Sequence, residues 1–413
     1  MGYRLSLSAC SLLVLGTVSM AGDWTEFRGP TGQGLAGTND LPLEWGDDRN
    51  VLWKQPVEGL AWSSPVVQGD RVYLTTAVPE GDERQVLSAV ALSLVTGERL
   101  WDQPLVTQAG KVQMHSKNSH ASPTPIIEGD HLYVHFGPHL TACLSAKDGS
   151  KLWETAIAYE PQHGTGGSPA VAGDLLIICC DGRDQQFVVG LDKRTGEERW
   201  RTPRETSPKK GFSFCTPLVI ELDGQPQAIC PGSDAVFAYE PATGKEIWRV
   251  RYDDGYSVVP RPVYAQGLLF VGTSYDRARL IAIDPRGRGD ITESNVRWMT
   301  DRAAPHNPSV VVVKNELYMV SDKGVATCLN ATTGEQLWQE RLGGNYSASL
   351  LASDDRVYFQ DEAGVCHVVA TGGAYQLLAR NEWGGGKRTY ASFAVADGTL
   401  LLRSESELWR VGE

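Results

Sequence analysis

Trp62, His120, His163, Tyr256, Arg261, His306, Tyr346 and Tyr390 stand just ahead of short apolar runs that recur along the whole chain. Aromatic rings at such positions offer flat apolar contact, while imidazole and guanidinium groups offer donors for carboxylate or hydroxyl groups. That set suits reversible binding of a small molecule, a sugar or a peptide segment. The plainer alternative is that the same side chains plug a narrow channel. Templates for covalent or metal chemistry are missing: the sequence has no GxSxG elbow, HExxH, Walker loop, CxxC pair or zinc-spaced His/Cys cluster. Serines recur in "SSP", "ASP" and "GSP" without a paired base and read as structural. A net charge of -12 argues against nucleic acid, because phosphate binding needs a basic footprint.

The elements that would position these residues come from repetition. "LSLVTGERLW" ends at Trp101, "LSAKDGSKLW" at Trp153, "LDKRTGEERW" at Trp200, "YEPATGKEIW" at Trp248 and "LNATTGEQLW" at Trp338. Trp298 closes a copy with extra residues in its turn, and Leu378 stands near the Trp position of a degenerate copy. Before each phrase an apolar run meets a Gly-Asp or Asp-Gly turn and a second alternating run, the pattern of a β-hairpin. The phrase itself is a second hairpin, whose Gly supplies the positive φ of a tight turn. Eight such units, at a period of roughly 40 to 50 residues, predict an all-β, eight-bladed β-propeller of four-stranded antiparallel blades. The Trp of each outermost strand is expected to fill the gap to the neighbouring sheet.

The eighth unit stops after three strands, and "NVLWKQPV" around Trp53 is an orphan fourth strand. It is expected to complete the last blade and so remove a sheet edge. Residues 1–21 read as a signal peptide: Arg4, the apolar "LSACSLLVLGTV" and the small-x-small site Ser19-Met20-Ala21. The apolar run is too short for a transmembrane segment. Residues 22–413 are then one propeller domain, exported to a periplasm or the cell exterior. On the varied-loop face, strand entries from all blades converge on a central funnel. The eight residues named first are its candidate lining.

The phrase A/L-x-D-x-x-T-G-x-x-x-W resembles the repeat of the pyrroloquinoline-quinone (PQQ) propeller superfamily. "DWTEFRGPTGQG" from Asp23 looks like the opening of exported bacterial PQQ-like repeat proteins. The superfamily contains quinoprotein alcohol dehydrogenases and the cofactor-free BamB-type lipoprotein of outer-membrane assembly. The first likeness implies PQQ and calcium, oxidoreductase activity on alcohols or sugars, and a disulfide between adjacent cysteines, for which Cys179 and Cys180 are the candidates. Those two can equally be consecutive strand residues facing opposite neighbours. The second likeness implies a binding or scaffold module with no cofactor and an unidentified protein or small-molecule partner. No carboxylate set matches the dehydrogenases' calcium and catalytic positions, so the second is the expected function and no catalytic or metal-binding residue is assigned.

Overall fold

Period-2 alternation puts successive side chains of a strand on opposite faces, and in this chain both faces are apolar through the middle of each repeat. Such strands are stable only when sheets stack on both sides. The computed structural model describes residues 22–110 and 112–413; the expected signal peptide lies outside the described residues. The sheets are eight four-stranded antiparallel blades around an axis, spanning 66–109, 126–155, 170–203, 218–251, 263–300, 311–341 and 351–382, and the last 394–411 with Val51–Pro56. Blade 4 also carries a two-residue parallel addition at Gly289–Asp290. The only α-helix among the described residues is the four-residue Thr292–Asn295.

Closure follows the expected route. Val51–Pro56 pairs antiparallel with Glu407–Val411, and Trp53 sits opposite Arg410. The core is a series of layers between blades; one joins blades 1 and 2, the next blades 2 and 3, and so on around the ring.

The repeated Trp explains how neighbouring blades are held. The indoles of Trp53, Trp101, Trp153, Trp200 and Trp298 lie against the turn glycine of the following blade, and these and Trp338 donate Nε1 to a backbone carbonyl there. Trp53 reaches Leu94 O at 2.8 Å, Trp153 reaches Lys193 O at 3.0 Å, and Trp200 reaches Pro241 O at 2.9 Å. Trp298 and Trp338 do the same at 3.0 and 3.2 Å. In blades 1 to 6 the residue opposite the Trp on the adjacent strand is small (Ala91, Cys143, Gly190, Ala238, Ala282 or Cys328), whereas Trp53 faces Arg410. Two copies differ. Trp248 faces the long turn of blade 5, has no glycine to dock on, and donates instead to Gln227 Oε1 of its own blade at 2.9 Å. In blade 7 the residue in the Trp register is Ala379, opposite Val368, and not Leu378.

The dock makes a specific demand on glycine. A Cβ on Gly196 would stand 2.5 Å from the Trp153 ring, whereas one on Gly173 would meet nothing within 4 Å; both residues have positive φ. Gly173→Ala should therefore cost only the left-handed strain of about 1–2 kcal/mol. Gly196→Ala should cost about 1–3 kcal/mol more through overpacking. Urea midpoints of the two variants measure the difference, and equal midpoints would contradict the dock.

Candidate functional site

The innermost strand of each blade starts on the varied-loop face with a hydroxyl residue aimed at its neighbour. Ser64 N donates to Thr124 Oγ1 (2.9 Å), Thr124 N to Ser168 Oγ (2.8 Å), and Ser168 N to Thr216 Oγ1 (3.0 Å). On the far side Arg261 N donates to Ser309 Oγ (2.9 Å), Ser309 N to Ser349 Oγ (3.1 Å), and Ser349 N to Ser392 Oγ (2.9 Å). The recurring serines therefore form an inter-blade belt. Two breaks in it, between blades 4 and 5 and between blades 8 and 1, are bridged by buried arginines. Arg261 Nε donates to Pro217 O at 3.0 Å, and Arg403 donates to Ser63 O at 2.8 Å and Thr75 O at 2.9 Å.

Alternation dictates what stands above the belt. Two residues before each belt position are Trp62, Ser122, Gly166, Phe214, Val259, Asn307, Ser347 and Tyr390, and all eight line one cavity of about 360 Å³. Loops add a second tier: His115, Lys117 and Asn118 from the long connection after blade 1, then His163, Lys210, Phe212, Tyr256 and Tyr275.

The floor comes from the N-terminal segment, which crosses the tight-turn end of the axis. Trp24 pairs with Val67, Thr25 O accepts from Ile127 N, and Gly34 and Ala36 pair with Ala352 on blade 7. Between these anchors Phe27 enters the cavity lining. Glu26 lies 3.3 Å from the Arg261 guanidinium, and Arg28 Nη2 donates to Val310 O at 2.6 Å. The funnel is a cup, open toward the varied loops and sealed below.

Four of the eight expected lining residues meet in the cup: Trp62, His163, Tyr256 and Tyr390. Four do not. Arg261 occupies a belt position, is 2% exposed and is consumed by Pro217, Phe27 and Glu26. Tyr346 stands three residues before its belt serine, so alternation turns it between blades, fully buried near Val320 and Phe359. His306 has the same odd offset and backs the wall, with its Nδ1 3.3 Å from Asp322 and its ring 4.5 Å from Tyr275. His120 lies four residues before Thr124, on the rim, where its Nδ1 meets Gln108 Oε1 at 2.6 Å.

Cys179 and Cys180 are not bonded to each other. Within their strand they point to opposite faces, Cys179 toward blade 4 and Cys180 toward blade 2. They stand as consecutive strand residues facing opposite neighbours, the second of the two readings open from the sequence.

Around blades 2 to 6 the rings form a continuous arc. His115 to His163 is 5.6 Å between centroids, His163 to Phe212 5.4 Å, Phe212 to Tyr256 5.5 Å, and Tyr256 to Tyr275 6.2 Å. On the other side Trp62 packs on Tyr390 at 4.6 Å. Lys210 lies 4.3 Å above the Tyr256 ring and donates to its hydroxyl at 2.8 Å. Lys117 pairs with Glu362 at 2.6 Å, and Ser347 donates to the same carboxylate oxygen at 2.6 Å. Burial alone would lower the Lys117 pKa, but Glu362, with Asp322 and Tyr275 nearby, more than offsets it and holds the amine above its ordinary value. A charged ammonium cannot act as general base for Ser347. Burial, with His115 and Lys210 nearby, lowers the His163 pKa. The cup presents imidazole, ammonium and ring faces.

Residues 44–213, 184–305 and 287–408 match the family model described as outer membrane protein assembly factor BamB. The chain belongs to the BamB family. It is 23% identical over 255 residues to the BamB of Nitrosomonas eutropha, a match that takes in 58% of this chain and 55% of that relative. The match thus spans about half the length of the curated relative. Among solved structures, BamB from Moraxella catarrhalis superposes with a TM-score of 0.62 at 14% identity, covering 87% of this chain and 96% of that one. A europium-containing methanol dehydrogenase superposes with a TM-score of 0.69 at 11% identity, covering 96% and 99%. At such identities these likenesses concern the fold.

The dehydrogenase likeness raises the question of a quinone and metal, and the carboxylates nearest the cup are already engaged. Among the described residues no three His, Cys, Asp or Glu side chains gather to hold a metal ion. Glu362 at the cup is tied to Lys117, and Asp276 accepts from the Tyr256 hydroxyl at 2.7 Å. The adjacent cysteines are turned apart.

Two outcomes test this geometry. Arg261→Ala should destabilise the fold by about 3 kcal/mol, since it leaves Glu26 buried without its counter-charge; an unchanged thermal midpoint would return Arg261 to the ligand-binding set. In an NMR titration His163 should have its midpoint below the free imidazole value of about 6.5. Lys210→Met should raise that midpoint without restoring it fully, because burial is the larger cause.

Proposed function

We infer that this chain is an exported binding module that holds a segment of a partner protein in the cup on its varied-loop face. The observation that carries this reading is the cup itself, a sealed funnel about 360 Å³ in volume whose wall tier comes from all eight blades. Its polar groups are placed for contact and lack the pairing of a nucleophile with a neutral base. Bound segments can lay apolar or aromatic side chains on the ring arc and present carboxylates or carbonyls to Lys117, Lys210 and Asn118. The role for which the family is named, outer-membrane protein assembly, supports a protein partner in the cell envelope. The signal-like residues 1–21 support export. Oxidoreduction with PQQ and calcium finds no support in the residues of the cup.

A photo-crosslinking residue at Ser347, on the cup wall, should capture an envelope protein in intact host cells. The same residue at Ser150, exposed on a tight turn, should not. Trp62→Ala with Tyr390→Ala should remove the adduct while the protein stays folded. Equal capture from both faces, or capture from Ser150 alone, would contradict the proposal. So would retention of added PQQ and calcium through desalting together with dye reduction by an alcohol.

A further inference from the structure

The seven described cysteines are all unpaired, but they are not evenly placed. Cys143, Cys328 and Cys366 are buried in three separate inter-blade layers, and Cys180 shares the layer of Cys143. The other three meet at one interface, between blades 3 and 4. Cys179, on the strand Leu175–Asp181, packs against the layer that contains Cys230 from the strand Gln225–Pro231. Cys215 immediately precedes the belt residue Thr216, where the two innermost strands press together; a Cβ on Gly167 would lie 2.4 Å from the Cys215 carbonyl. Cys215 and Cys230 both belong to blade 4, the blade that Cys179 faces.

A buried cation completes the cluster. Arg204 pairs with Asp181 at 2.8 Å and donates to the Cys230 carbonyl at 2.8 Å. Among the seven described cysteines only Cys179 is not buried. The geometry points to a redox site: Cys179 reacts with a disulfide-bearing oxidant and forms an inter-blade disulfide with a thiol of blade 4, Cys215 or Cys230.

The chemistry balances without a metal. Cys179 thiolate attacks one sulfur of the oxidant's disulfide, forms a mixed disulfide and expels the other sulfur as a thiolate. Cys215 or Cys230, losing its proton, then attacks the Cys179 sulfur and expels the second oxidant sulfur. Two protein thiols are oxidised by two electrons, one oxidant disulfide is reduced to two thiols, and the two protons end on those thiols. The thiol environments suit these roles. Burial alone would raise the Cys179 pKa, but the neighbouring thiols and the Arg204 charge outweigh it and hold Cys179 below the ordinary thiol value. Burial pushes Cys215 and Cys230 up. The first nucleophile is thus Cys179, the least buried of the three thiols, and its resolving partners stay protonated until it has reacted.

The full chain without residues 1–21, equilibrated in glutathione buffers from fully reduced to fully oxidised, can be unfolded in an alkylating reagent and mapped by peptide mass. Oxidised buffer should give two fewer alkylated cysteines and one cross-linked peptide pair joining Cys179 to Cys215 or Cys230. C180S should keep that pair, and C179S should leave every remaining cysteine alkylated. The urea midpoint should rise on oxidation for the wild type and not for C179S. All seven thiols free at every ratio, a Cys179–Cys180 pair, or a Cys215–Cys230 pair would each overturn the inference. Should C179S fail to fold, the maps of the wild type and C180S decide the matter.

Discussion

The contact between an indole and the turn glycine of the next blade is the constraint on which this structure depends. A four-stranded sheet with two apolar faces is unstable alone, and each blade is rescued by its neighbours. The indole fills the outer part of the gap, while its N–H satisfies a carbonyl that the turn leaves free. Glycine is needed twice over at that turn, for positive φ and for room beneath the ring. The ten-residue phrase written five times is therefore an instruction for docking. Where the next turn is enlarged, as after Trp248, the indole turns back to its own blade and the insertion packs alongside.

Inside the ring a different interaction takes over. Strands converge toward the axis, so bulky side chains give way to hydroxyls that accept a backbone N–H from the preceding blade. The belt fixes the register of the inner strands, and that register places the next inward residue two positions earlier on the cup wall. Arginine replaces a hydroxyl once, at position 261, and the N-terminal segment supplies Glu26 to meet its charge. The same segment carries Phe27 to the floor. Structural closure and the shape of the cup are thus products of one stretch of chain.

The fold could be read from the sequence because its signals are local and repeated: turn glycines, alternating runs and a Trp at constant spacing. The orphan strand around Trp53 was legible for the same reason. The site was only half legible. Trp62 and Tyr390 sit at the inward offset and were found, but His306 and Tyr346 are one residue out of phase, and alternation sends them elsewhere. In blade 2 the two prolines of "SPTP" hide which residue joins the belt; it is Thr124 and not Ser122, and His120 is displaced to the rim. Lys117, Lys210 and Phe212 lie on irregular loops, where no periodicity marks them. That "DWTEFRGPTGQG" crosses the axis has no local signal, since it depends on contacts with blades far away in sequence.

If one segment both closes the ring and floors the cup, residues 24–36 and 51–56 must be as well protected as the blades they touch. Hydrogen exchange followed by mass spectrometry measures this directly, through peptides from both stretches and from the inner strands of blades 3 and 4. The account predicts that the hydrogen-bonded amides of Trp24, Gly34, Ala36 and the strand Val51–Pro56 exchange on the slow timescale of the inner strands and shift with them as denaturant is added. Exchange of residues 24–36 within seconds, while the blades stay protected, would mean a channel open at both ends and would contradict the account.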